Sequence, residues 1–486
     1  MESKNHQLHI FFLPFMAQGH MIPIMDMAKL VASRGSKATI IITSYFSPFL
    51  SKTLQKIRVS GTQIDHLIIK FPCEEVGLPE GIESLHMANT PEFALKFFKA
   101  TTLLGPQLDH LLQQHRPDSL VSDMFFHWST DVASKHGIPR LIFDETGYFS
   151  SCGSLCMYLH EPQKRVLSDS EAFLIPNMPG EIEFTRNKLP DFVKEGDETH
   201  FPQLYKSIKD AELKSFGVLI NSFYELEPAY ADHYRKVLGV KAWQIGPLFL
   251  YDKRIKERTI RGREASIDEH ECLKWLDSHT SNSVIYISFG SLVNFSEAQL
   301  LDIAMGIEAS GQKFIWVVKK ETKEGLRQEW LPEGFEKRME GKGFIIRGWA
   351  PQVLILEHEA IGGFVTHCGW NSTLEAVTAG VPMVTWPVSA EQFYNEKLVT
   401  QVLGIGVEVG AQKWTKFVGD DSVKKEDIEK AVMRVMVGEE AEKMRRKAKE
   451  LGEMARRAVE EGGSSQLELD AMLEELRQHI KPIASS

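Results

Sequence analysis

Two residues in the first half of the chain could exchange a proton with a substrate. His20 follows the apolar segment 8–13 and lies in the loop before a predicted helix. A histidine titrates close to neutral pH, so it can accept a proton from a hydroxyl group. Asp123 follows a second apolar segment, 120–122, where a carboxylate could orient an imidazole and stabilise its charged form. Together they predict general base catalysis.

Both residues also have ordinary structural interpretations. His20 could lie on the surface or cap the first helix, and Asp123 could be the N-cap of the next helix, a position that aspartate favours. The spacing of the two residues along the chain does not establish that their side chains touch.

A second group of polar residues lies within 362–375, a predicted strand, turn and helix. A helix that starts near Ser372 would direct free N–H groups and the positive end of its dipole at the turn, which favours phosphate or diphosphate. His367 and the strand-end turn at Ser291 could add donors. Ser372 and Glu375 also match a capping box, in which case they would only terminate the helix.

The elements that must position these residues alternate regularly. Short apolar runs alternate with amphipathic segments, which predicts parallel sheets covered by helices on both faces. The predicted strands are 8–13, 38–42, 120–122, 140–143, 283–289, 314–318, 344–346, 361–366 and 382–386. The predicted helices are 22–33, 297–310, 372–379, 390–402, 439–461 and 466–480. A charged stretch, 251–271, predicts a solvated linker or loop, so we expect two doubly wound α/β domains with a boundary near 246–280.

Composition and missing motifs exclude several classes of protein. The chain has 486 residues, of which 43% are hydrophobic, and a formal net charge of −10, which gives no electrostatic footprint for nucleic acid or an anionic membrane. It lacks a long apolar run and a signal-peptide pattern, so a cytoplasmic location is expected. The five cysteines contain no C-x-x-C pair, which favours reduced thiols. The signatures of dehydrogenases, ATPases, serine hydrolases and zinc proteases are also missing.

The segment 349–392 carries a family resemblance. Its sequence, WAPQVLILEHEAIGGFVTHCGWNSTLEAVTAGVPMVTWPVSAEQ, resembles without a gap the signature box of plant UDP-dependent glycosyltransferases. Segments 11–35, 272–277, 288–292 and 390–399 resemble the same family, so the resemblance spans essentially the whole chain. The subgroup that it resembles glycosylates triterpenoids, flavonoids and simple phenolics.

The resemblance implies a GT-B fold, in which two Rossmann-like, doubly wound domains face a cleft. An N-terminal domain, 1–248, would bind the acceptor, and a C-terminal domain, 281–465, would bind the UDP-sugar after a linker, 249–280. The last helix, 466–480, would pack back on the N-terminal domain. The UDP-sugar would be a co-substrate, with no cofactor and no metal.

The resemblance also assigns roles by position. His20 would be the general base and Asp123 its orienting partner. Trp349 would stack on uracil, Gln352 would bind near the base and ribose, and Glu375 would hold the ribose hydroxyls. The residues assigned to the diphosphate are Ser291, His367, Asn371 and Ser372. Those assigned to the sugar hydroxyls are Trp370, Glu391 and Gln392, and Ala350 is also assigned to the UDP-sugar.

These roles agree with elementary chemistry. His20 would take the acceptor's proton and Asp123 would stabilise the imidazolium. The helix N-terminus and His367 would offset the charge on the leaving UDP. Direct displacement inverts the anomeric carbon and gives a β-glycoside. Because Glu375 would hold the ribose, the side chain that caps the helix near Ser372 would be that of Asn371 or of Ser372.

The segment 144–147, Asp-Glu-Thr-Gly, departs from the resemblance, because members of the family often have a His-Gly-Thr-Ser-like run there. Two carboxylates near the acceptor would recognise a polar or already glycosylated molecule, or would face solvent. The residues predicted to line the acceptor pocket are Phe15, Phe125, Asp144, Glu145 and Phe149, together with the stretch 180–205.

We therefore predict an inverting O-glycosyltransferase that transfers glucose from UDP-glucose to a hydroxyl or carboxyl of a small lipophilic plant metabolite. Trp370 and Gln392 suit glucose, and Glu391 stands where aspartate is commoner. The alternatives are UDP-galactose or UDP-glucuronic acid as donor, extension of an existing sugar, and a non-catalytic nucleotide-binding module. We expect a monomer that binds neither nucleic acid nor membrane.

Overall fold

The computed structural model describes residues 6–48, 64–194, 201–251, 266, 269–318, 331–416, 418–420 and 422–480. The elements of the first half are β1 (His9–Leu13), α1 (Gln18–Ser33), β2 (Lys37–Thr43), β3 (Ile64–Ile69), α2 (Pro91–Thr102), α3 (Gly105–His115), β4 (Ser119–Asp123), α4 (Ser129–Lys135), β5 (Arg140–Asp144), α5 (Tyr148–His160), β6 (Ala172–Leu174), β7 (Glu183–Thr185), α6 (Phe201–Lys214), β8 (Gly217–Ile220), α7 (Pro228–Lys236) and β9 (Ala242–Gln244).

The elements of the second half continue the same alternation. They are α8 (Glu269–Asp277), β10 (Val284–Ser288), α9 (Glu297–Ser310), β11 (Lys313–Val318), α10 (Phe335–Arg338), β12 (Gly343–Arg347), α11 (Gln352–Leu356), β13 (Ile361–Thr366), α12 (Trp370–Ala379), β14 (Met383–Thr385), α13 (Gln392–Lys397, continued by a π-turn over Leu398–Val402), β15 (Gly406–Glu408), α14 (Lys425–Met436), α15 (Gly438–Ala458) and α16 (Ser464–His479).

The first sheet has the strand order β3-β2-β1-β4-β5-β8-β9, and its pairs are parallel. β4 and β5 are buried along their whole length, as expected for a sheet that is covered on both faces. The chain places β2 and β3 on one side of β1 and then places β4 on the other. β1 and β4 therefore flank a topological switch point, where a crevice forms beyond their carboxyl ends.

The second sheet repeats this plan. Its strand order is β12-β11-β10-β13-β14-β15, again with parallel pairs. Its switch point lies between β10 and β13. The turn at Gly290 and Ser291 follows β10, and His367 follows β13. The two halves thus each present a crevice, and the predicted catalytic and diphosphate residues lie at these two places.

Two helices bring the halves into contact. α5, from the first half, packs against α13 of the second, and a Cβ added to Gly153 would lie 2.7 Å from the ring of Tyr394. α16 packs on β9 and buries Leu469, Met472 and Leu476 in the apolar core of the first half. After the second half is complete, the chain therefore returns to the first half.

The predicted strands coincide with observed strands to within one residue at each end. The predicted start of the first helix, at residue 22, is wrong, because α1 begins at Gln18 and includes Pro23. Several short strands, among them β3, β8, β9 and β15, were not predicted. Half of the predicted linker, 249–280, lies outside the described residues, although its last part forms α8.

Two further observations concern the whole chain. The five cysteines are buried and free, in agreement with the predicted reduced thiols. Within the described ranges, no helix combines the length and the apolar character that crossing a membrane requires.

Candidate active site

The side chains of His20 and Asp123 meet at the switch point of the first sheet. His20 is the third residue of α1 rather than part of the loop before it. Its Nδ1 lies 2.7 Å from Oδ2 of Asp123, whose side chain is fully buried at the end of β4. The other carboxylate oxygen of Asp123 accepts a hydrogen bond from the Phe125 N–H at 2.9 Å. Asp123 therefore orients the imidazole and also shapes the turn after β4, although α4 begins only at Ser129.

A buried guanidinium supports Asp123 from the neighbouring strand. Arg140, at the start of β5, donates to the main-chain carbonyl of Asp123 at 2.9 Å and to the hydroxyls of Ser122 and Thr130, each at 2.7 Å. Burial lowers the pKa of Arg140 to about 9, and the charge of Asp123 acts against this shift. The arginine remains a cation near neutral pH, so it offsets the buried carboxylate electrostatically.

Glu145 is a second carboxyl partner of His20. Its Oε2 lies 3.2 Å from Nδ1 of His20, and its side chain is only 9% exposed. Asp144, by contrast, accepts a hydrogen bond from the Ser151 hydroxyl at 2.9 Å, and its pKa is raised to about 6 by burial. The two acidic residues that the sequence placed together in the acceptor pocket thus have different partners.

His20, Asp123 and Glu145 also form the one group in the described part of the chain with the spacing of metal ligands, with their ligand atoms within 4.8 Å of one another. In this structure, however, Nδ1 of His20 already makes a short hydrogen bond to Asp123. A metal ion bound to Nδ1 would have to displace the proton of that bond.

Aromatic rings flank the imidazole. The ring centroids of Phe15 and Phe125 lie 5.3 and 5.6 Å from that of His20. Phe98 contacts both phenylalanines and, farther out, Phe201. Phe98 was not predicted, because its position in α2 looks like an ordinary core position in the sequence, whereas Phe201 lies within the stretch 180–205 that was predicted to line the acceptor pocket. The side of the crevice next to His20 is thus apolar and aromatic.

Phe149 does not join this group of rings. It is fully buried, its ring packs on Tyr230, and its N–H donates to Glu227 at 2.8 Å. Glu227 also accepts from the N–H of Tyr148 and from the Ser222 hydroxyl, so it caps the start of α5. This cap could not be predicted from the sequence, because Glu227 lies far along the chain from the helix that it stabilises.

The helix of the second half that is predicted to bind an anion, α12, begins at Trp370, and its N-cap is Gly369, which has no side chain to cap the helix. Ser372 is therefore the third residue of the helix and not its cap. The predicted capping box and the predicted caps at Asn371 or Ser372 are wrong. The side chains of this first turn are free to make other contacts.

His367 is wedged between two glycine turns at this helix N-terminus. A Cβ added to Gly290 or Gly369 would lie 2.6 or 2.5 Å from its ring, so only glycine fits on either side. Burial lowers the pKa of His367 to about 4, and its buried Nδ1 has no hydrogen-bond partner among the described residues. His367 is therefore neutral near pH 7 and can offer a hydrogen bond, not the positive charge that a protonated imidazole would supply.

The residues assigned to the nucleoside lie together. Gln352, the first residue of α11, donates to Ser372 Oγ at 2.9 Å and to Glu375 Oε2 at 2.8 Å. The Tyr286 hydroxyl lies 3.4 Å from the Gln352 carbonyl oxygen. Trp349 and Ala350 precede this helix. The N–H of Trp349 donates to the Ser266 hydroxyl, and Ala350 is buried beside α11.

Two residues of α12 reach across to the first half. The indole N–H of Trp370 donates to the carbonyl of Asn221 at 2.8 Å. The Asn371 amide donates to the carbonyl of Gly19 at 2.8 Å. That carbonyl is available because Pro23, four residues later in α1, has no N–H to donate to it. The diphosphate end of the second half is thereby joined to the residue next to His20.

The residues predicted at the sugar lie in the same region. Glu391 accepts from Asn395 Nδ2 at 3.1 Å and from the main-chain N–H of Trp370, and burial raises its pKa. The Gln392 carbonyl oxygen accepts from the N–H groups of Val388 and Ser389, each at 2.9 Å. Ser291, at the end of β10, is exposed.

Comparison with known proteins gives the family. Residues 259–445 match the model of the family described as UDP-glucuronosyl and UDP-glucosyl transferase. A UDP-glucose flavonoid 3-O-glucosyltransferase of Fragaria ananassa is 56% identical over 98% of this chain and 98% of its own. The chain belongs to this family. A scopoletin glucosyltransferase of Nicotiana tabacum is 53% identical over 97% of this chain and 98% of its own.

Solved structures give the same result for the fold. A Glycyrrhiza uralensis glycosyltransferase in complex with glycyrrhetinic acid 3-O-monoglucuronide has a TM-score of 0.89 and 41% identity, covering 98% of this chain and 96% of its own. A Medicago truncatula relative in complex with UDP-glucose has a TM-score of 0.78 and 27% identity, covering 98% of this chain and all (100%) of its own. The protein is a plant UDP-glycosyltransferase with the predicted GT-B fold.

Proposed function

We propose that this glycosyltransferase moves glucose from UDP-glucose to a hydroxyl group of a small lipophilic plant metabolite and forms a β-glycoside. The printed names of the Fragaria and Nicotiana relatives, a flavonoid and a scopoletin glucosyltransferase, support glucose as the sugar and a phenolic ring system as the acceptor. The aromatic rings of Phe15, Phe98 and Phe125 beside His20 suit such an acceptor.

His20 would act as the general base of this reaction. Because its Nδ1 is bonded to Asp123, its Nε2 is the nitrogen left to accept the proton of the acceptor hydroxyl. The acceptor O–H bond breaks as its oxygen attacks the anomeric carbon of the donor. The resulting imidazolium lies against the Asp123 carboxylate, which stabilises it.

The donor would lie along the second half of the crevice. The first turn of α12 directs main-chain N–H groups at the diphosphate, and the unpartnered Nδ1 of His367 adds a hydrogen bond there. Negative charge grows on the leaving UDP as the sugar–oxygen bond breaks, and these donors are fixed in advance. Gln352 and Glu375 would bind the nucleoside, and Glu391 and Gln392 the sugar hydroxyls.

One observation carries this proposal. The Asn371–Gly19 hydrogen bond holds the helix N-terminus of one half next to the His20–Asp123 pair of the other. A base and an anion site at the same junction are what displacement of a nucleoside diphosphate by a hydroxyl requires.

A mass-spectrometric transfer assay tests the proposal. The purified protein is offered UDP-glucose, UDP-galactose and UDP-glucuronic acid against flavonoids, coumarins, triterpenoids and triterpenoid monoglycosides. We expect a hexose gain from UDP-glucose on an aglycone. A gain only with another donor, or only on monoglycosides, would replace the donor or acceptor stated here. UDP binding without transfer to any acceptor would favour the non-catalytic alternative.

The His20→Ala variant tests the mechanism. We expect transfer to fall by at least about 100-fold, because no other group takes the acceptor proton. The affinity for UDP, measured by calorimetry, should stay within about twofold of wild type, since His20 lies on the acceptor side. A His136→Phe variant, altered at a histidine that pairs with Asp109 away from the site, serves as the control. Substantial transfer by His20→Ala would remove His20 from the mechanism.

A further inference from the structure

The turn that carries Glu145 is fixed between the two halves of the molecule. A Cβ added to Gly147 would lie 2.5 Å from the Trp370 ring and 2.7 Å from the Glu227 carboxylate. With the backbone held in this way, the Glu145 side chain extends to His20 and places Oε2 3.2 Å from Nδ1. Its other oxygen, Oε1, is buried and has no hydrogen-bond partner among the described residues.

The charged groups that face Glu145 are mostly of its own sign. They are Asp123 at the end of β4, Asp144 at the end of β5, and Glu391 just before α13; together with burial, they raise the pKa of Glu145 well above its ordinary value. Arg140 makes its hydrogen bond to the carbonyl of Asp123. His20 is thus the group in contact with Glu145 that can compensate a negative charge on it.

The second proton can consequently reside on Nε2 of His20 or on the Glu145 carboxyl and exchanges between them through solvent, because Nδ1 keeps the proton that it donates to Asp123 in both forms. A neutral imidazole with a protonated Glu145 has the same net charge as an imidazolium with an ionised Glu145. Interacting sites of this kind titrate as a pair. Only the first form leaves Nε2 of His20 free to accept a proton from the acceptor.

We propose that Glu145 is a second positioning residue of His20, whose charge state is linked to that of the imidazole and so sets the pH range in which the base is available. The proposal rests on the proposed function, because it requires His20 to be the base. In the competent form the acceptor O–H bond breaks and its proton joins Nε2. The oxygen bonds to the anomeric carbon, and the electron pair of the broken sugar–oxygen bond leaves with UDP. Loss of one proton to solvent then restores the competent form.

The Glu145→Gln variant is the direct test. Glutamine keeps the volume and one acceptor oxygen but cannot ionise, so it no longer favours the imidazolium. We expect the acid limb of the kcat/KM–pH profile to move to lower pH by about one unit, since a carboxylate at this distance shifts a titration by that much or more. The variant should therefore be more active relative to wild type at pH 6 than at pH 8. A profile that superimposes on that of wild type would overturn the proposal.

Asp144→Asn is the matched control. Asp144 is the adjacent residue and is also a buried carboxyl with a raised pKa, but it bonds Ser151 instead of the imidazole. We expect its acid limb to move by less than half as much as that of Glu145→Gln. An equal shift in both variants would mean that general electrostatics, and not the contact with His20, sets the profile, and would also overturn the proposal.

Two more variants separate the possible failures. Glu145→Ala removes the same ionisation and one acceptor, so its acid limb should shift equally with a lower plateau; it replaces Glu145→Gln if that variant does not fold. His20→Ala is assayed in parallel. Transfer by His20→Ala would overturn the proposed function itself, whereas an inactive His20→Ala with an unshifted Glu145→Gln would overturn only the role of Glu145.

Discussion

Two histidines of this site have opposite surroundings and therefore different chemistry. His20 is 23% exposed on its side chain and contacts two carboxyl groups, those of Asp123 and Glu145. His367 has a buried, unpartnered Nδ1 and a pKa lowered to about 4 by burial, so it stays neutral in the working range of pH. In the proposed mechanism His20 changes its protonation state during the reaction, whereas His367 stays neutral.

Replacing His367 by phenylalanine tests this distinction. The ring volume is kept and the hydrogen bond to the diphosphate is lost, so we expect kcat to fall about tenfold, the worth of one such bond. Because His367 does not titrate above its pKa of about 4, the ratio of wild-type to variant kcat should be constant from pH 5.5 to 8. A ratio that changes between pH 6 and 7 would show that His367 carries a charge in the wild type.

The same shift predicts how stability depends on pH. In the unfolded chain His367 would take up a proton near the ordinary pKa of about 6.5, whereas in the folded protein it does so only near 4. Its contribution to the free energy of unfolding is therefore present above 6.5 and is lost as the pH falls toward 4. His367→Phe should lose less stability on acidification through that window than wild type does, in chemical denaturation at each pH.

At the scale of the element, local pattern and long-range contact explain different parts of the structure. Nine strands follow from their apolar runs, and their bounds were predicted to within a residue, whereas the buried strands β8 and β9 were not predicted. The starts of α1 and α12 were not predicted. The start of α1 accommodates Pro23, whose missing main-chain hydrogen bond to Gly19 is replaced by one from Asn371, and the N-cap of α12 is a glycine, which offers no capping side chain. The cap of α5 by Glu227 could not be predicted either, since Glu227 lies 79 residues along the chain from Tyr148 and 78 from Phe149, whose N–H groups it accepts.

Glu227→Ala tests how much that cap contributes. It removes acceptors for the N–H groups of Tyr148 and Phe149 and for the Ser222 hydroxyl, which stay buried, so the free energy of unfolding should fall by about 2 kcal/mol. Glu225→Ala is the control, because Glu225 is exposed and bonds Ser464 at the surface; it should change stability by less than about 0.5 kcal/mol. Equal losses in urea denaturation would argue against the cap.

At the scale of the whole molecule, the sequence pattern and the family resemblance predicted the GT-B plan. The pattern did not predict which side chains face each other across the crevice. The His20–Asp123 contact joins residues 103 positions apart, and Asn371 and Gly19 are 352 positions apart. Glu145 shows the limit most clearly: its type marked it as unusual, but only the fold places it on the imidazole.

The return of α16 to the first half gives a prediction at this scale. Leu476 is fully buried against the core of the first half, so Leu476→Ala should lower the free energy of unfolding by about 3 kcal/mol. Leu467→Ala, on the same helix but 57% exposed, should change it by less than about 0.5 kcal/mol. Similar thermal shifts for the two variants would show that α16 is not anchored there.

Three of the residues proposed to bind the donor already bond to another side chain or to the protein main chain. Gln352 bonds Glu375, Asn371 bonds Gly19, and the Trp370 indole bonds Asn221. A nucleotide that enters must therefore exchange partners with these groups, and each exchange gains only a fraction of a hydrogen bond. When UDP leaves, the same internal hydrogen bonds form again and offset the contacts that are lost. We therefore expect the site to release UDP quickly rather than to retain it tightly, as repeated turnover in the presence of accumulating UDP requires.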